Sequence, residues 1–307
     1  MSEVKSSNLR NYELVTQRVI EALEKNVVPW KQPWRSGGLG FPSNLLTKRP
    51  YRGINAFLLA SSGYRSPYWL TFNQAKAKGG TVRKGEHGTA IVFWKIFETP
   101  TTPDAKPEKR PFLKRSTVFN VEQCDGIECQ APAENHENDP IDECEKILSG
   151  YRSPPRIAEG GDAALYSLNE DLVRMPRREQ FLSAEEWYNT LWHELAHSTA
   201  HPTRLNRKLV SLHSSFFSKA YDREELIAEM AASFLCATAG IDCTFDNSVS
   251  YIQGWLSAFR EKPRMLIEAA SAAQKAADYI LNASRTEGTS ADEYDTFTKG
   301  KVGEEEV

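Results

Sequence analysis

The spacing of hydrophobic residues in the first third of the chain predicts three helices. Residues 10–27 carry apolar side chains three or four positions apart, the pattern of an amphipathic helix. A second helix is predicted over 51–61. A third is predicted over 69–78, where Thr71 leads an alanine-containing polar run that a pair of glycines terminates.

Two strands are predicted to follow these helices. The β-branched and aromatic runs at 89–97 and 115–123 have the composition of strands. The residues between them, 98–111, are rich in proline and charge, which predicts an exposed loop. The first part of the chain is therefore expected to fold as an α+β domain.

The second half of the chain is predicted to be mostly helical. The sequence that starts at Ser183 has the signature of a capping box, so a helix is expected to begin there and to end before Pro202. Asp222 is expected to cap a second helix over 223–240. A third helix, alanine-rich and amphipathic, is expected over about 263–283.

Changes in composition between these patterns predict two domains. We expect an α+β domain over 1–125 and a mostly helical domain over 141–285, joined by the acidic and polar segment 126–140 as a linker. Residues 286–307 are polar and include a run of three glutamates, so we expect a mobile tail. The predicted fold class is α+β.

Charge is distributed unevenly between the two predicted domains. Residues 1–125 contain 20 Lys and Arg against 10 Asp and Glu, whereas the rest of the chain contains 18 against 31, and the formal net charge is −3. The basic half is therefore expected to bind a polyanion. The alternative is that solvated surface charge is simply uneven.

The cysteines and the lack of long apolar runs indicate a cytoplasmic protein. The five cysteines are odd in number and none forms a C-x-x-C pair, as expected for reduced thiols. The N-terminal residues lack the apolar core of a signal peptide, and no run of about 18 apolar residues predicts a membrane helix. No membrane partner is expected.

One short motif predicts a metal site. Within the helix expected after Ser183, the sequence Trp-His-Glu-Leu-Ala-His occupies positions 192–197. Because residues four apart lie one above the other on a helix, His193 and His197 can hold one divalent cation, with Glu194 beside them as the general base of a hydrolysis. Zinc is the expected ion, and another divalent ion such as Mn²⁺ is an alternative. The competing interpretation is a chance match on a helix that binds no metal.

A catalytic zinc ion takes three protein ligands, so a third group is needed. Glu225, in the next predicted helix, is the favoured ligand, and Glu229, one turn later, is expected to hydrogen-bond a ligand histidine. If Glu225 instead completes a helix cap with Asp222, Glu229 is the ligand. His201 is excluded as a ligand, because eight helical residues rise about 12 Å. A donor for the developing oxyanion is also needed, and the candidates are Tyr188, His201, His213 and Tyr221.

The basic half also carries aromatic residues next to cations. Rings and cations adjoin at three places: Trp30-Lys31, Trp34-Arg35 and Tyr51-Arg52. Single-stranded nucleic acid is bound by stacking bases on such rings inside a positive groove. A basic turn at Arg83 and Lys84 suits phosphate groups. Trp69 and Trp94 are instead expected in the core. Packing against the first helix is the alternative for Trp30 and Trp34.

Several longer motifs resemble a known family. In the first domain they are PWKQPW at 29–34, YRGIN at 51–55, YWLTFNQA at 68–75, GGTVRKGEHGT at 79–89 and VFNVEQC at 118–124. In the second they are ALYSLNEDLVRMP at 164–176, TLWHELAHSTAHPTRLNR at 190–207 and EELIAEMAASFLC at 224–236. The first group is similar to the N-terminal domain of antirestriction proteins of the ArdC type. The second group is similar to the zincin-like domain that follows it in those proteins.

The resemblance implies an accessory protein of conjugative plasmids that binds single-stranded DNA with its first half and protects incoming DNA from host restriction. It also implies a relation to the N-terminal part of plasmid primases and to peptidases that clear DNA-bound proteins. The expected partners are single-stranded DNA and, as a second candidate, a host restriction protein or another DNA-bound protein. The expected nucleic-acid-binding residues are Trp30, Lys31, Trp34, Arg35, Tyr51, Arg52, Asn55, Arg83 and Lys84.

Three functions compete at this point. The favoured one joins a single-stranded DNA-binding domain to a zinc-metallopeptidase-like domain, and leaves open whether peptide turnover is needed. The second is a non-enzymatic coat or decoy in which the metal only braces the fold. The third is a cytosolic metallopeptidase that acts on a protein partner, such as a DNA-bound protein.

Overall fold

The computed structural model describes residues 2–31, 41–99, 108–129, 140–207, 219–242 and 249–283. Within these ranges the helices are α1 (Ser2–Glu24), α2 (Ile54–Ala60), α3 (Phe72–Ala77), α4 (Pro140–Gly150), α5 (Ala184–Ser198), α6 (Lys219–Ala239), α7 (Val249–Glu261) and α8 (Arg264–Ile280). The strands are β1 (Ser43–Asn44), β2 (Tyr68–Leu70), β3 (Thr81–Val82), β4 (Thr89–Thr99), β5 (Glu108–Asn120), β6 (Cys124–Asp125), β7 (Arg156–Glu159), β8 (Leu165–Ser167) and β9 (Leu172–Met175).

A four-stranded sheet forms the centre of the N-terminal domain. Its strand order is β1-β2-β5-β4, and β4 and β5 are a long antiparallel pair in which Thr89 faces Val118. β2 lies antiparallel to β5 and parallel to β1. The two predicted strands are confirmed, because their β-branched and aromatic residues fit this pleated ladder. The loop predicted over 98–111 was too long, and residues 100–107 lie outside the described ranges.

The helices predicted in the first domain are present with different bounds. α1 begins well before residue 10, and α2 is shorter than predicted. The third prediction merged two elements, because Trp69 belongs to β2 and α3 follows it. Thr71 starts α3 as expected: its hydroxyl accepts a hydrogen bond from Gln74 N, and the Gln74 side chain accepts one from Thr71 N.

The C-terminal domain packs α5, α6 and α8 together and covers α5 with a three-stranded sheet. The strand order is β7-β9-β8, with β9 parallel to β7 and antiparallel to β8. This sheet and helices α4 and α7 were not predicted from the sequence. α5 begins after Ser183 as predicted and ends at Ser198, before Pro202. α6 begins at Lys219, so the helix cap predicted at Asp222 is wrong.

One large hydrophobic core is shared by both halves of the chain. It contains the buried faces of α1 and α2 together with buried residues of α5, α6 and α8. Phe57 of α2 stacks on Phe234 of α6 with ring centroids 4.5 Å apart. At the rim, Arg52 forms an ion pair with Asp278 of α8. Because burying one large apolar side chain contributes about 1.5–3 kcal/mol, this interior holds the two domains firmly against each other.

The predicted linker lies partly, and the predicted tail entirely, outside the described residues. The described part of the linker ends at residue 129 and α4 begins at Pro140, whereas residues 130–139 and 284–307 lie outside the described ranges. None of the helices in the described part of the chain combines the length and the apolar character that crossing a membrane requires.

Candidate metal centre and basic domain

Helix α5 places two histidines on one side through their spacing. Ser183 starts the helix, because its hydroxyl accepts a hydrogen bond from Glu186 N at 3.2 Å. The Glu186 carboxylate in turn accepts one from Leu182 N at 2.9 Å. With the helix fixed in this way, His193 and His197 lie one turn apart, and their rings meet edge to face with centroids separated by 4.7 Å.

Helix α6 runs antiparallel to α5 and supplies the carboxylates. Near one end of the helix pair, Cys236 Sγ lies 3.2 Å from Asn189 Oδ1, and near the other end His197 faces Glu225. Alanines at 228, 231 and 232 of α6 are fully buried. Such small side chains let neighbouring helices approach closely, which carries Glu225 up to the two imidazoles.

The donor atoms of His193, His197 and Glu225 form a small triangle. The two Nε2 atoms are 3.1 Å apart, and the Glu225 carboxylate oxygens lie 3.2 Å from His193 Nε2 and 3.5 Å from His197 Nε2. Ligands about 2.0–2.1 Å from a tetrahedral ion lie roughly 3.3 Å from one another, so three such atoms fit one divalent cation. Among the described residues, these side chains form the group suited to hold a metal ion.

Glu194 lies directly beside the first of these histidines on α5. Its side chain is buried, with 8% of the residue exposed, and its negative charge acts on the His197 ring. It is not part of the donor triangle. The general-base role expected from the sequence stays a prediction for this buried carboxylate.

A further carboxylate, Glu224, holds His197 from the other side of its ring. Glu224 Oε1 lies 3.6 Å from His197 Nδ1 and 2.7 Å from a guanidinium nitrogen of Arg207. Burial by itself lowers the pKa of His197, but the contact with Glu224 and the charges of Glu225 and Glu194 outweigh burial and raise that pKa to about 9. The carboxylates therefore make this pocket strongly attractive to positive charge.

Glu224 and Arg207 were not predicted from the sequence. Burial favours a raised pKa for Glu224, but its contacts with His197 and Arg207 prevail and hold that pKa below its usual value. Arg207 is itself fixed at the end of α5, where it donates to Thr199 Oγ1 at 2.6 Å. The adjacent pair Glu224-Glu225 could have predicted the contact of Glu224 with His197. Neighbouring residues on a helix point about 100° apart, so two adjacent carboxylates can reach two sides of one ring.

Glu229 lies one turn beyond Glu225 and joins the metal centre to the N-terminal half. Its carboxylate accepts a hydrogen bond from Trp30 Nε1 at 3.4 Å. Burial raises the pKa of Glu229 to about 7, against the opposing effect of His193. The choice of Glu225 as ligand and Glu229 as its support stays a prediction, which the distances in the donor triangle favour.

Two of the four candidate oxyanion donors have described side chains. Tyr188 is fully buried, and its hydroxyl donates to the Glu145 carboxylate, so that candidate is wrong. His201 lies beyond the end of α5, with its Nδ1 2.7 Å from Thr203 Oγ1. The side chains of the other two candidates lie outside the described residues: His213 and Tyr221.

Two rings predicted to stack on bases lie in the interior of the fold. Trp30 is 1% exposed and packs edge-on against Trp255, with ring centroids 5.3 Å apart. Tyr51 is 3% exposed. A base needs an open ring face, so these two stacking predictions are wrong. Trp30 belongs to the core cluster that also contains the buried residues of the first helix, with its ring against Trp255 of α7.

The predicted polar contacts of Arg52 and Asn55 are used within the protein. Arg52 pairs with Asp278 of α8. The Asn55 amide makes two hydrogen bonds with the backbone of Val92, at 2.6 and 2.9 Å, and so ties α2 to β4. Both residues join structural elements, which corrects their assignment as nucleic-acid contacts. Two further predicted residues lie outside the described ranges: Trp34 and Arg35.

The basic turn after β3 and the remaining lysine are more accessible. Arg83 donates to Glu86 at 2.8 Å and to the carbonyl of Glu122 at 2.6 Å, which engages much of its guanidinium. Lys84 is exposed and Lys31 is half-buried. Of the predicted nucleic-acid contacts, Lys84 is therefore the one whose surroundings suit the role best.

The two tryptophans expected in the core differ from each other. Trp69 is 1% exposed, as predicted, but Trp94 is 39% exposed. Trp94 lines a groove of about 490 Å³ together with Arg223 and Lys275. Trp94 shares the face of the buried Val92 and meets the buried Tyr12 ring edge-on, with centroids 6.0 Å apart, so it lies at the rim of the core and not inside it.

Comparison with known proteins identifies both domains. The family described as the N-terminal domain of anti-restriction factor ArdC matches residues 10–119, and the family described as zincin-like metallopeptidase matches residues 143–272. The metal-free crystal structure of the antirestriction ArdC protein from the R388 plasmid is 37% identical, with a TM-score of 0.72, over 88% of this chain and 96% of that chain. Its Mn(II)-bound structure is 37% identical, with a TM-score of 0.71, over 90% and 99%.

Curated relatives show the same extent of similarity. The uncharacterized protein y4eC of Sinorhizobium fredii is 32% identical over 88% of this chain and 91% of its own length. Two proteins of Escherichia coli named DNA primase TraC are 36% and 34% identical over 92% and 88% of this chain. The chain spans only 28% and 20% of the length of these two primases.

The fold and the site together define a two-domain α+β protein whose C-terminal domain is a zincin-like metallopeptidase domain. The chain belongs to the ArdC family of antirestriction proteins. The resemblance and the fold class predicted from the sequence are thereby confirmed. The donor triangle and the Mn(II)-bound relative support a divalent metal ion at this centre.

Proposed function

We propose that this chain binds single-stranded DNA with its basic domain and holds a zinc ion at His193, His197 and Glu225, and that it protects incoming conjugative DNA from host restriction. The donor triangle, with Glu194 buried beside it, is the observation that best supports the zinc site and a peptidase activity there. Two imidazoles and one carboxylate are a ligand set that hydrolytic zinc sites use. The excess of positive charge in the first domain supports the DNA-binding part.

The residues around the triangle have separate roles in the proposed peptide hydrolysis. His193, His197 and Glu225 would hold the divalent cation, which would supply polarisation of a carbonyl group and a more acidic water. Glu194 accepts the water proton and returns it to the leaving amine. Glu224, backed by Arg207, holds His197 through Nδ1 and so keeps Nε2 directed at the donor triangle.

A non-enzymatic coat that uses the metal only as a brace is the second candidate. One observation favours it: the side chains of the donor triangle are only 10–15% exposed, so a polypeptide has little room to reach them in this conformation. A peptidase that acts on a DNA-bound protein needs this access, whereas a structural metal does not.

Glu194→Gln separates the two candidates. The variant is expected to keep the bound metal and the DNA affinity, and to lose about 10²- to 10⁴-fold in cleavage rate, because the amide cannot accept the proton. Cleavage is measured on casein and on a protein cross-linked to an oligonucleotide, with zinc present. Protection is measured as conjugation efficiency into a restricting host. Full protection by Glu194→Gln would favour the coat.

Single-strand binding by the full chain is expected to weaken steeply with salt. Each phosphate contact contributes about −0.7 to the slope of log affinity against log salt concentration on a single strand. Fluorescence anisotropy of a labelled oligo(dT), titrated at several NaCl concentrations, measures this slope. Equal affinity for a duplex of the same length, or no binding to either, would count against the proposed DNA-binding role.

A further inference from the structure

An exposed phenylalanine marks a surface that neither the metal centre nor the shared core uses. Phe72, the first residue of α3, is 56% exposed. Its ring meets that of Phe119 edge-on, with centroids 6.5 Å apart. Phe72 therefore offers an open ring face beside a second aromatic ring.

Strand register places two aromatic rings on one side of the sheet, and Phe72 of α3 contacts one of them. Tyr68 and Leu70 alternate with Trp69 along β2, and Leu70 pairs with Phe119 on β5. Tyr68 and Phe119 both pack, half-buried, against the small cluster that contains Leu70. Trp69 points to the opposite face, where it belongs to a different cluster. Tyr68, Phe119 and Phe72 therefore share the face that is not committed to the core between the domains.

Lysines surround these rings. Lys48 Nζ lies 4.4 Å from the centre of the Tyr68 ring, in a cation–π contact. Lys78 is the residue that ends α3, the helix that Phe72 begins. Ala75 of this helix is buried in the same small cluster against which Tyr68 and Cys129 pack.

The lysines of this face are available for phosphate groups. Within the described residues, no carboxylate forms an ion pair with Lys48 or Lys78. Lys84, in the exposed turn after β3, also has no such ion pair within the described residues. It lies two residues after Val82, which packs against the same cluster. We call Lys48, Tyr68, Phe72, Lys78 and Phe119 the Phe72 surface.

We infer that the Phe72 surface is the platform on which this chain binds single-stranded DNA. Bases stack on the open ring of Phe72, and Lys48 and Lys78 neutralise the neighbouring phosphates. Every base has a flat aromatic face, so such a platform binds single strands without regard to sequence. The inference rests on the proposed DNA-binding function and gives it a location different from the buried Trp30.

Phe72→Ala in the full chain tests the location. Affinity for a labelled oligo(dT) is expected to fall about 5- to 150-fold, the effect of losing one stacked base. Phe72→Trp is expected to keep wild-type affinity. Leu182→Ala is the matched control, because Leu182 is an apolar side chain that is 98% exposed on the other domain, and it is expected to leave affinity unchanged.

The slope of log affinity against log salt concentration distinguishes the contribution of the Phe72 ring from that of the lysines. Phe72→Ala is expected to keep the wild-type slope, since no phosphate contact is lost, whereas Lys48→Gln and Lys78→Gln are each expected to reduce it by about 0.7. Thermal melting of each variant, expected to match wild type, shows that the fold is kept.

Two negative results have different meanings. A wild-type chain that binds no single strand overturns the proposed function and this inference together. A wild-type chain that binds, while the Phe72→Ala, Lys48→Gln double variant binds equally well, overturns the location alone. A duplex that competes as well as the single strand also contradicts the location, because paired bases cannot stack on Phe72.

Discussion

Replacing Glu225 by glutamine is expected to lower the affinity for zinc by about 10²- to 10⁴-fold. Binding at a three-ligand site of this kind is worth about 10–16 kcal/mol by comparison with structural zinc sites, so one ligand carries roughly a third of it. The amide keeps the shape of the side chain but loses its negative charge. Competition with a fluorescent zinc chelator, using the full chain, measures the affinity.

Two neighbouring glutamates serve as matched variants in that experiment. Glu224→Gln and Glu229→Gln are each expected to lose only about 10- to 100-fold, as residues that orient ligand histidines do. A larger loss in Glu229→Gln than in Glu225→Gln would show that Glu229 is the ligand, the alternative that the sequence left open. Unchanged affinity in Glu225→Gln would contradict the donor triangle.

The melting temperature of the metal-free Glu225→Gln protein is the control for this loss. Without a metal, Glu225 raises the pKa of both His197 and Glu229, so removing its charge loses an attraction to the imidazolium and relieves a repulsion with the carboxylate, and only a small change is expected. A variant that loses metal affinity and keeps its melting temperature therefore reports loss of a ligand and not loss of the fold.

Asp171→Asn is expected to cost about 2–4 kcal/mol in the free energy of unfolding. The carboxylate accepts two hydrogen bonds of 2.8 Å from Arg204, whose side chain is only 2% exposed. Arg204 also donates to the carbonyls of Ser153 and Ser198, so it joins the end of α5 to the sheet region. Removing the charge of Asp171 leaves a buried guanidinium without its counter-ion.

The adjacent residue provides the control for this substitution. Glu170 pairs with Arg174 at 3.0 Å, but both side chains are about half exposed, at 49% and 52%. Exposed pairs contribute about 0–1 kcal/mol, so Glu170→Gln is expected to change the stability by less than that. Urea titrations of both variants at pH 7 make the comparison. Equal losses in the free energy of unfolding would show that burial of Arg204 does not strengthen its ion pair.

The cost of Asp171→Asn is expected to depend on pH. The hydrogen bonds from Arg204 lower the pKa of Asp171, so the folded state holds its charge at a pH where the unfolded state begins to take up a proton. The pair therefore stabilises the fold fully above the usual aspartate pKa of about 3.9 and loses that contribution as the pH falls through the lowered pKa. The difference between wild type and variant, measured at several pH values, is expected to shrink at acid pH.

Helical periodicity explains how the metal site could be predicted before its structure was known. The spacing of His193 and His197 fixes their shared side on any helix, and the search for a carboxylate on the next helix gave Glu225. Glu224 was not predicted, because its contact with His197 depends on how α6 is rotated against α5. That rotation is a property of packing between distant segments and leaves no local pattern.

Local patterns also failed where burial depends on distant residues. β7 is exposed at every position and β8 has three residues, so the sheet they form with β9 carries no clear alternation of apolar and polar residues. Trp30 stands next to Lys31 and was therefore predicted to face a ligand. Its burial comes from α6 and α7, about 200 positions later in the chain. The residues next to Trp30 in the sequence do not predict these contacts.

Because of the hydrogen bond from Trp30 to Glu229, neither half of this protein is expected to function when it is combined with the other half of a homologue. A chimaera that takes its first half from one homologue and its second from another must match the indole to the glutamate and Phe57 to Phe234 at the same time. Mismatched parents are expected to lose zinc affinity even though all three ligands are still present. Inheritance of the two halves as one unit follows from this shared interior.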